Sequence, residues 1–170
     1  MLRTVFAFAL SFLAAPAFAI DLPVFDEPKG LLDAIYAQYA AYVATDDYDP
    51  ADYFDEEDAY STDLKAALDA ANERVWATGD EMGALDFSPF INGQDGAGQT
   101  FVVHDPKVKG THAVADVDIN FEGRQLYLIT FHLVDEGGAR RWKIDDILLP
   151  NGDSAGSWSL AEYFASLPAN

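Results

Sequence analysis

The apolar residues of this chain change their period once, near Thr100, and nothing else in the sequence limits the fold as much. Before that point Leu31, Leu32, Ile35, Tyr36, Tyr39, Tyr42 and Val43 recur at three- and four-residue spacing. They follow Pro28, which suits the first helical turn because its missing N–H would have no partner there. Leu64, Leu68, Ala71 and Val75 repeat the pattern until Gly79 ends it. Beyond Thr100 the period becomes two. Phe101 to His104, His112 to Phe121, Gln125 to Asp135 and Arg141 to Leu149 are rich in β-branched and aromatic residues and separated by Asp-Pro, Glu-Gly and Gly-Gly turns. Ser159 and Glu162 have capping-box spacing ahead of Tyr163, Phe164 and Leu167, which predicts a short closing helix. Helices first and an antiparallel meander after them predict an α+β fold, with the helices packed on the concave face of a curved antiparallel sheet.

Strand registers follow from keeping apolar residues on one face. If Glu136 to Ala139 close the last hairpin, Leu133 faces Trp142, Phe131 faces Ile144 and Ile129 faces Asp146. The hairpin before it brings Ile119 to Tyr127, Val117 to Ile129 and Ala113 to Leu133. The inner face then runs from Phe101 through Phe121 and Phe131 to Trp142 and Ile144, with Asp146 as its one carboxylate and Asp145 outward in solvent. An inward carboxylate needs donors or an opening to water. Either backbone N–H groups of the Gly93 to Gly98 loop supply them, or Asp146 is a pocket carboxylate able to serve as a general base. A base needs a partner, and no second inner-face acid or histidine emerges.

Residues 1–19 read as a secretory signal peptide. Arg3 supplies the positive charge, Val5 to Ala15 the apolar run, and Ala17-Phe18-Ala19 the small-residue cleavage pattern. Cleavage before Ile20 is expected to leave 20–170 as a single α+β domain in the periplasm. Between the two helical patterns, Thr45 to Asp63 is dense in Asp, Glu and Tyr and broken by Pro50, which suits an acidic loop with one short helical turn. From Leu85 to Thr100 the chain follows neither period, and loops of that length in a compact domain usually have a task.

Charge and chemistry exclude several classes. Acidic residues outnumber basic ones 29 to 10, for a net charge of −19, which repels nucleic acid and anionic lipid. With no cysteine there are no disulfides, thiolate zinc sites, thiol catalysis or lipidated anchor. The acidic run Asp47 to Asp58 lacks the spacing of a calcium loop, and Gly93 to Gly98 lacks the Lys-Ser/Thr of a phosphate loop. If His104 pairs with His112, Val114 faces His132 and the three imidazoles share the outer face, but no recognisable turn supports that pairing. Neither a metal nor a cofactor is expected.

Asp86-Phe87-Ser88-Pro89-Phe90, then Gly93-Gln94-Asp95, then Trp142-Lys143-Ile144-Asp145-Asp146-Ile147, then Ser159-Leu160 opening a helix, resemble a family of small exported bacterial proteins that carry a domain of unknown function. Its relatives include enterobacterial periplasmic proteins and lipoproteins without an assigned activity. The resemblance covers most of Leu31 to Leu167, and it implies the cone-shaped nuclear transport factor 2-like fold, with a pocket between the long helix and the sheet. It also groups Asp86, Phe90, Gln94 and Asp95 with Asp146 as ligand-binding or loop-anchoring residues. No lipidated cysteine is present here, so membrane anchoring does not carry over. The function expected is non-catalytic binding of a small ligand or protein by a monomer or weak dimer. Two alternatives stand beside it: a lyase, isomerase or hydrolase using a pocket carboxylate, and an inhibitor or immunity-type protein that presents Asp46 to Asp58 to a basic partner.

Overall fold

The boundary near Thr100 separates helices from sheet. A computed structural model describes residues 21–44, 53–79, 82–94, 96–138, 141–152 and 156–167. The expected signal peptide, most of the acidic run before Tyr53, and Asp95 lie outside the described residues. Helix α1 spans Pro28–Val43, a 3-10 helix Glu56–Ala59, α2 Thr62–Trp76 and α3 Leu160–Ser166. Ser159 caps α3 by accepting from Glu162 N–H, as the capping-box spacing predicts, and Ser61 caps α2 by accepting from Leu64 N–H. Among the described residues, no helix is long and apolar enough to cross a membrane.

The strands are β1 (Gln99–Val103), β2 (Lys107–Lys109), β3 (His112–Phe121), β4 (Arg124–Asp135), β5 (Trp142–Pro150) and β6 (Ser157–Ser159). They form one open antiparallel sheet of order β1-β3-β4-β5-β6, with β2 on β3 beside β1, and the helices contact this sheet. β1 and β2 therefore make one margin, interrupted from His104 to Pro106, and β6 makes the other. The β3–β4 register is the expected one: Ile119 lies opposite Tyr127, Val117 opposite Ile129 and Ala113 opposite Leu133. Glu122 and Gly123 both have positive φ, as a two-residue hairpin turn requires.

The β4–β5 register differs from expectation. The connection is longer than a four-residue loop, so Asp135 meets Trp142 and Leu133 meets Ile144. A β-bulge then shifts the register between His132 and Leu133, placing His132 opposite Asp146 and Phe131 opposite Ile147. The extra residue reverses which side chains face inward, so Ile147 and Leu149 are buried where strict alternation would have put Asp146. Phe121 also leaves the inner face, being 40% exposed next to the turn. His112 lies opposite Lys109 rather than His104. His104 instead contacts Asp118 at 2.9 Å, so the conditional imidazole pairing weighed from the sequence does not form.

The core lies between α1 and the sheet. Leu31, Leu32 and Ile35 of α1 are fully buried with Ile119, Ile129 and Phe131. Phe90, from the long loop, stacks between Phe131 of the sheet and Tyr60 at the end of the 3-10 helix, with centroids 6.0 Å away on each side. Such offset rings add to the area they bury. Trp142, 6% exposed, donates its indole N–H to Asp26 O at 3.0 Å and holds down the approach to α1.

Candidate functional site

A cleft of about 600 Å³ opens between α1, the 3-10 helix, α2 and the loop around Phe87. Two side-chain amides set its walls. Gln38 of α1 makes a double hydrogen bond to the backbone of Phe54, donating to its carbonyl at 3.1 Å and accepting from its N–H at 3.0 Å. Asn72 of α2 accepts from Ala84 N–H at 2.7 Å. Gly83, at φ +80°, makes that second contact possible, because a Cβ there would sit 2.9 Å from Asn72 Oδ1. Between these clamps Tyr60, Leu68 and Phe87 form apolar surface, and Trp76 and Met82 stand 54% and 68% exposed at the rim.

Three consecutive acids border the cleft, each in a different setting. Asp55 caps the 3-10 helix by accepting from Glu57 N–H at 2.9 Å, and Glu57 pairs with Lys65 of α2 at 2.7 Å. Glu56 turns toward α1, where it shares a hydrogen bond with Tyr39. Burial pushes its carboxyl up to about 7; the Tyr39 hydrogen bond pulls the other way, and the nearby charge of Asp55 adds to the rise. The Tyr39 phenol, held well above its ordinary range by burial and then by Glu56, stays neutral and also hydrogen-bonds Ser88 Oγ. Ser88, Tyr39 and Glu56 thus form a continuous polar chain along the cleft. A smaller hollow of about 240 Å³ shares Gln38, Tyr53 and Glu56 with it.

The residues expected from the sequence fall in two other places. Asp86 and Gln94 meet within the long loop, where Gln94 Nε2 donates to Asp86 O at 3.0 Å. Phe90 belongs to the core. That loop is anchored by tyrosines: Tyr36 donates to Phe90 O at 2.8 Å and Tyr127 to Ile91 O at 2.6 Å. Asp146 does not supply the anchor, because its described partners are Ile147 N–H, Ala161 N–H and Ser159 Oγ. Asp145 is not simply solvated either, since it accepts from Ser61 Oγ at 2.9 Å while Ser61 N–H donates to Ile144 O. The two aspartates of Trp-Lys-Ile-Asp-Asp-Ile therefore use one bulge to brace the N-terminal caps of α2 and α3, where helix dipoles favour negative charge.

The cleft residues Glu56, Tyr39, Trp76 and Asn72 were missed. Two signals pointed toward them: the unusual run of tyrosines on α1, and an acidic stretch interleaved with aromatics rather than with the Gly and Ser of a solvated loop. Comparison with family models, curated proteins and solved structures gives no match.

Proposed function

We propose that this is a periplasmic domain, exported by its cleavable leader, that holds a small ligand in the cleft beside α1 and performs no chemistry on it. The observation that carries the reading is the cleft itself, which has the volume of a small-molecule site and a lining in which aromatic and aliphatic side chains alternate with polar ones in about equal measure. Half-exposed Trp76 and Met82 at its rim are large apolar side chains left in water unless something covers them. We further propose the cone arrangement implied by the resemblance, and a monomeric or weakly dimeric state, since a ligand in this cleft needs nothing from a second copy.

The test is native mass spectrometry of protein recovered from its own periplasm, beside the Trp76→Ala variant. A small molecule bound to the wild type and depleted at least about fivefold in the variant is expected, the scale of one lost aromatic wall. Protein that begins at Ile20 and carries no adduct, with a cleft that no small molecule in the same extract perturbs, refutes the reading.

One observation favours an enzyme as the second reading. The Ser88, Tyr39 and Glu56 chain would let a serine hydroxyl pass its proton through a neutral phenol to a carboxylate poised near neutrality. Hydrolysis of a simple ester panel that disappears in Ser88→Ala would select this reading over plain binding.

A further inference from the structure

Resting on the cleft-binding reading, we infer that the ligand is a cation with an apolar body, an amine or quaternary ammonium compound. The cleft's polar resources point that way once those already engaged are set aside. Both ends of the Gln38 amide are occupied by Phe54, and the Asn72 carbonyl by Ala84. Asp55 is occupied as a cap and Glu57 by Lys65. Of the carboxyls Glu56 remains, its described partner a tyrosine hydroxyl rather than a base, and no lysine, arginine or histidine is among the described lining residues.

Around that carboxyl the walls are aromatic: Tyr53, Phe54, Tyr60, Trp76 and Phe87. Aromatic faces attract cations through the ring quadrupole, most strongly where water is partly excluded. An anion entering here would meet Glu56 and Asp55 without compensation. The chain's net charge of −19 also draws cations toward the protein and repels anions before contact is made.

Cation binding should be linked to protons. Tyr36 and Tyr39 face Glu56 from α1, Ser88 joins through Tyr39 from the loop, and Asp55, Glu57 and Tyr60 lie on its own turn. Lys65 of α2 reaches Glu57 and Asp69. A bound ammonium would favour the ionised carboxyl, so affinity should rise as Glu56 loses its proton.

Three probes of one shape separate the possibilities: phenethylamine, 2-phenylethanol and phenylacetate, titrated at millimolar concentration into the purified protein. The signals followed are the backbone amides of Glu56 and Ser88 and the Trp76 indole N–H in two-dimensional NMR spectra. The amine is expected to shift these signals with an affinity at least about tenfold above the alcohol, while phenylacetate leaves them in place. Lowering pH from about 8 to about 5 should weaken the amine at least about tenfold and leave the alcohol unchanged. Glu56→Gln should reduce the amine to the level of the alcohol, and the pH arm tests the same point without a variant. If the alcohol or phenylacetate binds at the cleft as tightly as the amine, the cationic class is wrong while the cleft remains a binding site. If none of the three moves the cleft signals, both the class and the cleft reading fall.

Discussion

Three donors converge on Asp146, and removing the carboxylate tests what the bulge of β5 accomplishes. Oδ1 accepts from Ile147 N–H at 2.8 Å and from Ala161 N–H at 3.0 Å, and Oδ2 accepts from Ser159 Oγ at 2.6 Å. Ala161 N–H is one of the donors that a helix start leaves without an internal partner. In Asp146→Ala both partly buried backbone N–H groups are stranded, at about 1 kcal/mol each and more for bonds to a charged acceptor. The lost anion at the start of α3 adds about 0.3–1 kcal/mol. Ser159 can turn its hydroxyl to water, so the total is about 2–4 kcal/mol, a large fraction of a domain's stability. Asp146→Asn keeps an oxygen for both N–H groups, turns the Ser159 contact into one in which the amide donates, and loses the charge, about 1 kcal/mol. Urea unfolding followed by far-ultraviolet circular dichroism gives both values, and amide exchange at Ala161 and Glu162 locates the damage in α3. The reasoning fails if the alanine variant lies within about 0.5 kcal/mol of wild type, or if asparagine is as harmful as alanine.

Trp142→Ala should cost about 3–5 kcal/mol in denaturant melts through lost burial and a cavity between α1 and β5; a loss under about 1 kcal/mol would show that the indole is not part of the core. Tyr127→Phe removes the donor to Ile91 O, and should cost about 1–2 kcal/mol while speeding amide exchange around Ile91. Glu56 has its carboxyl raised from 4.5 to about 7, so the folded chain keeps a proton that the unfolded chain releases, and its contribution to stability falls as pH rises through that window and is constant above it. Glu56→Gln should therefore gain relative to wild type by about 1–2 kcal/mol between the two ends of the window, the full shift being discounted for partial solvent contact; a pH-independent difference between the two melting curves refutes the assignment.

Helices and the β3–β4 pairing were legible because each rests on a local period with clear ends: Pro28 and Gly79 for the helical runs, Glu122-Gly123 for the hairpin. β5 was misread at one place for a reason also present in the sequence. Its apolar residues stand at 142, 144 and 147 to 149, and the step of three from Ile144 to Ile147 marks the bulge that carrying a period of two straight through overlooks. The aspartate moved off the inner face in the process, which also supplies the reason it has no catalytic partner there. β2 and β6, three residues each, are too short to establish any period. The cleft was illegible because its walls are set by contacts between residues far apart in sequence, Gln38 with Phe54 and Asn72 with the Ala84 turn, that no local pattern announces. In the long loop the residues that line the cleft are Leu85, Phe87, Ser88 and Pro89 rather than Asp86, Phe90 and Gln94.

The interrupted margin formed by β1 and β2 bears on how the chain survives before it has folded. An open sheet exposes unpaired N–H and C=O groups along each border, and a second copy emerging nearby can add itself as a further strand. Here one border is cut at Pro106, which has no N–H to offer, and it resumes as Lys107-Val108-Lys109, where two ammonium groups would repel the same segment of a neighbour. On the opposite border β6 is three residues long and covers Leu148–Pro150 of β5, while Tyr60 bridges to Ile144 farther along. Along that first border the longer run is the five residues of β1, against which α1 packs. The shape of this margin thus works against fibrillar self-association, independent of whatever the cleft binds.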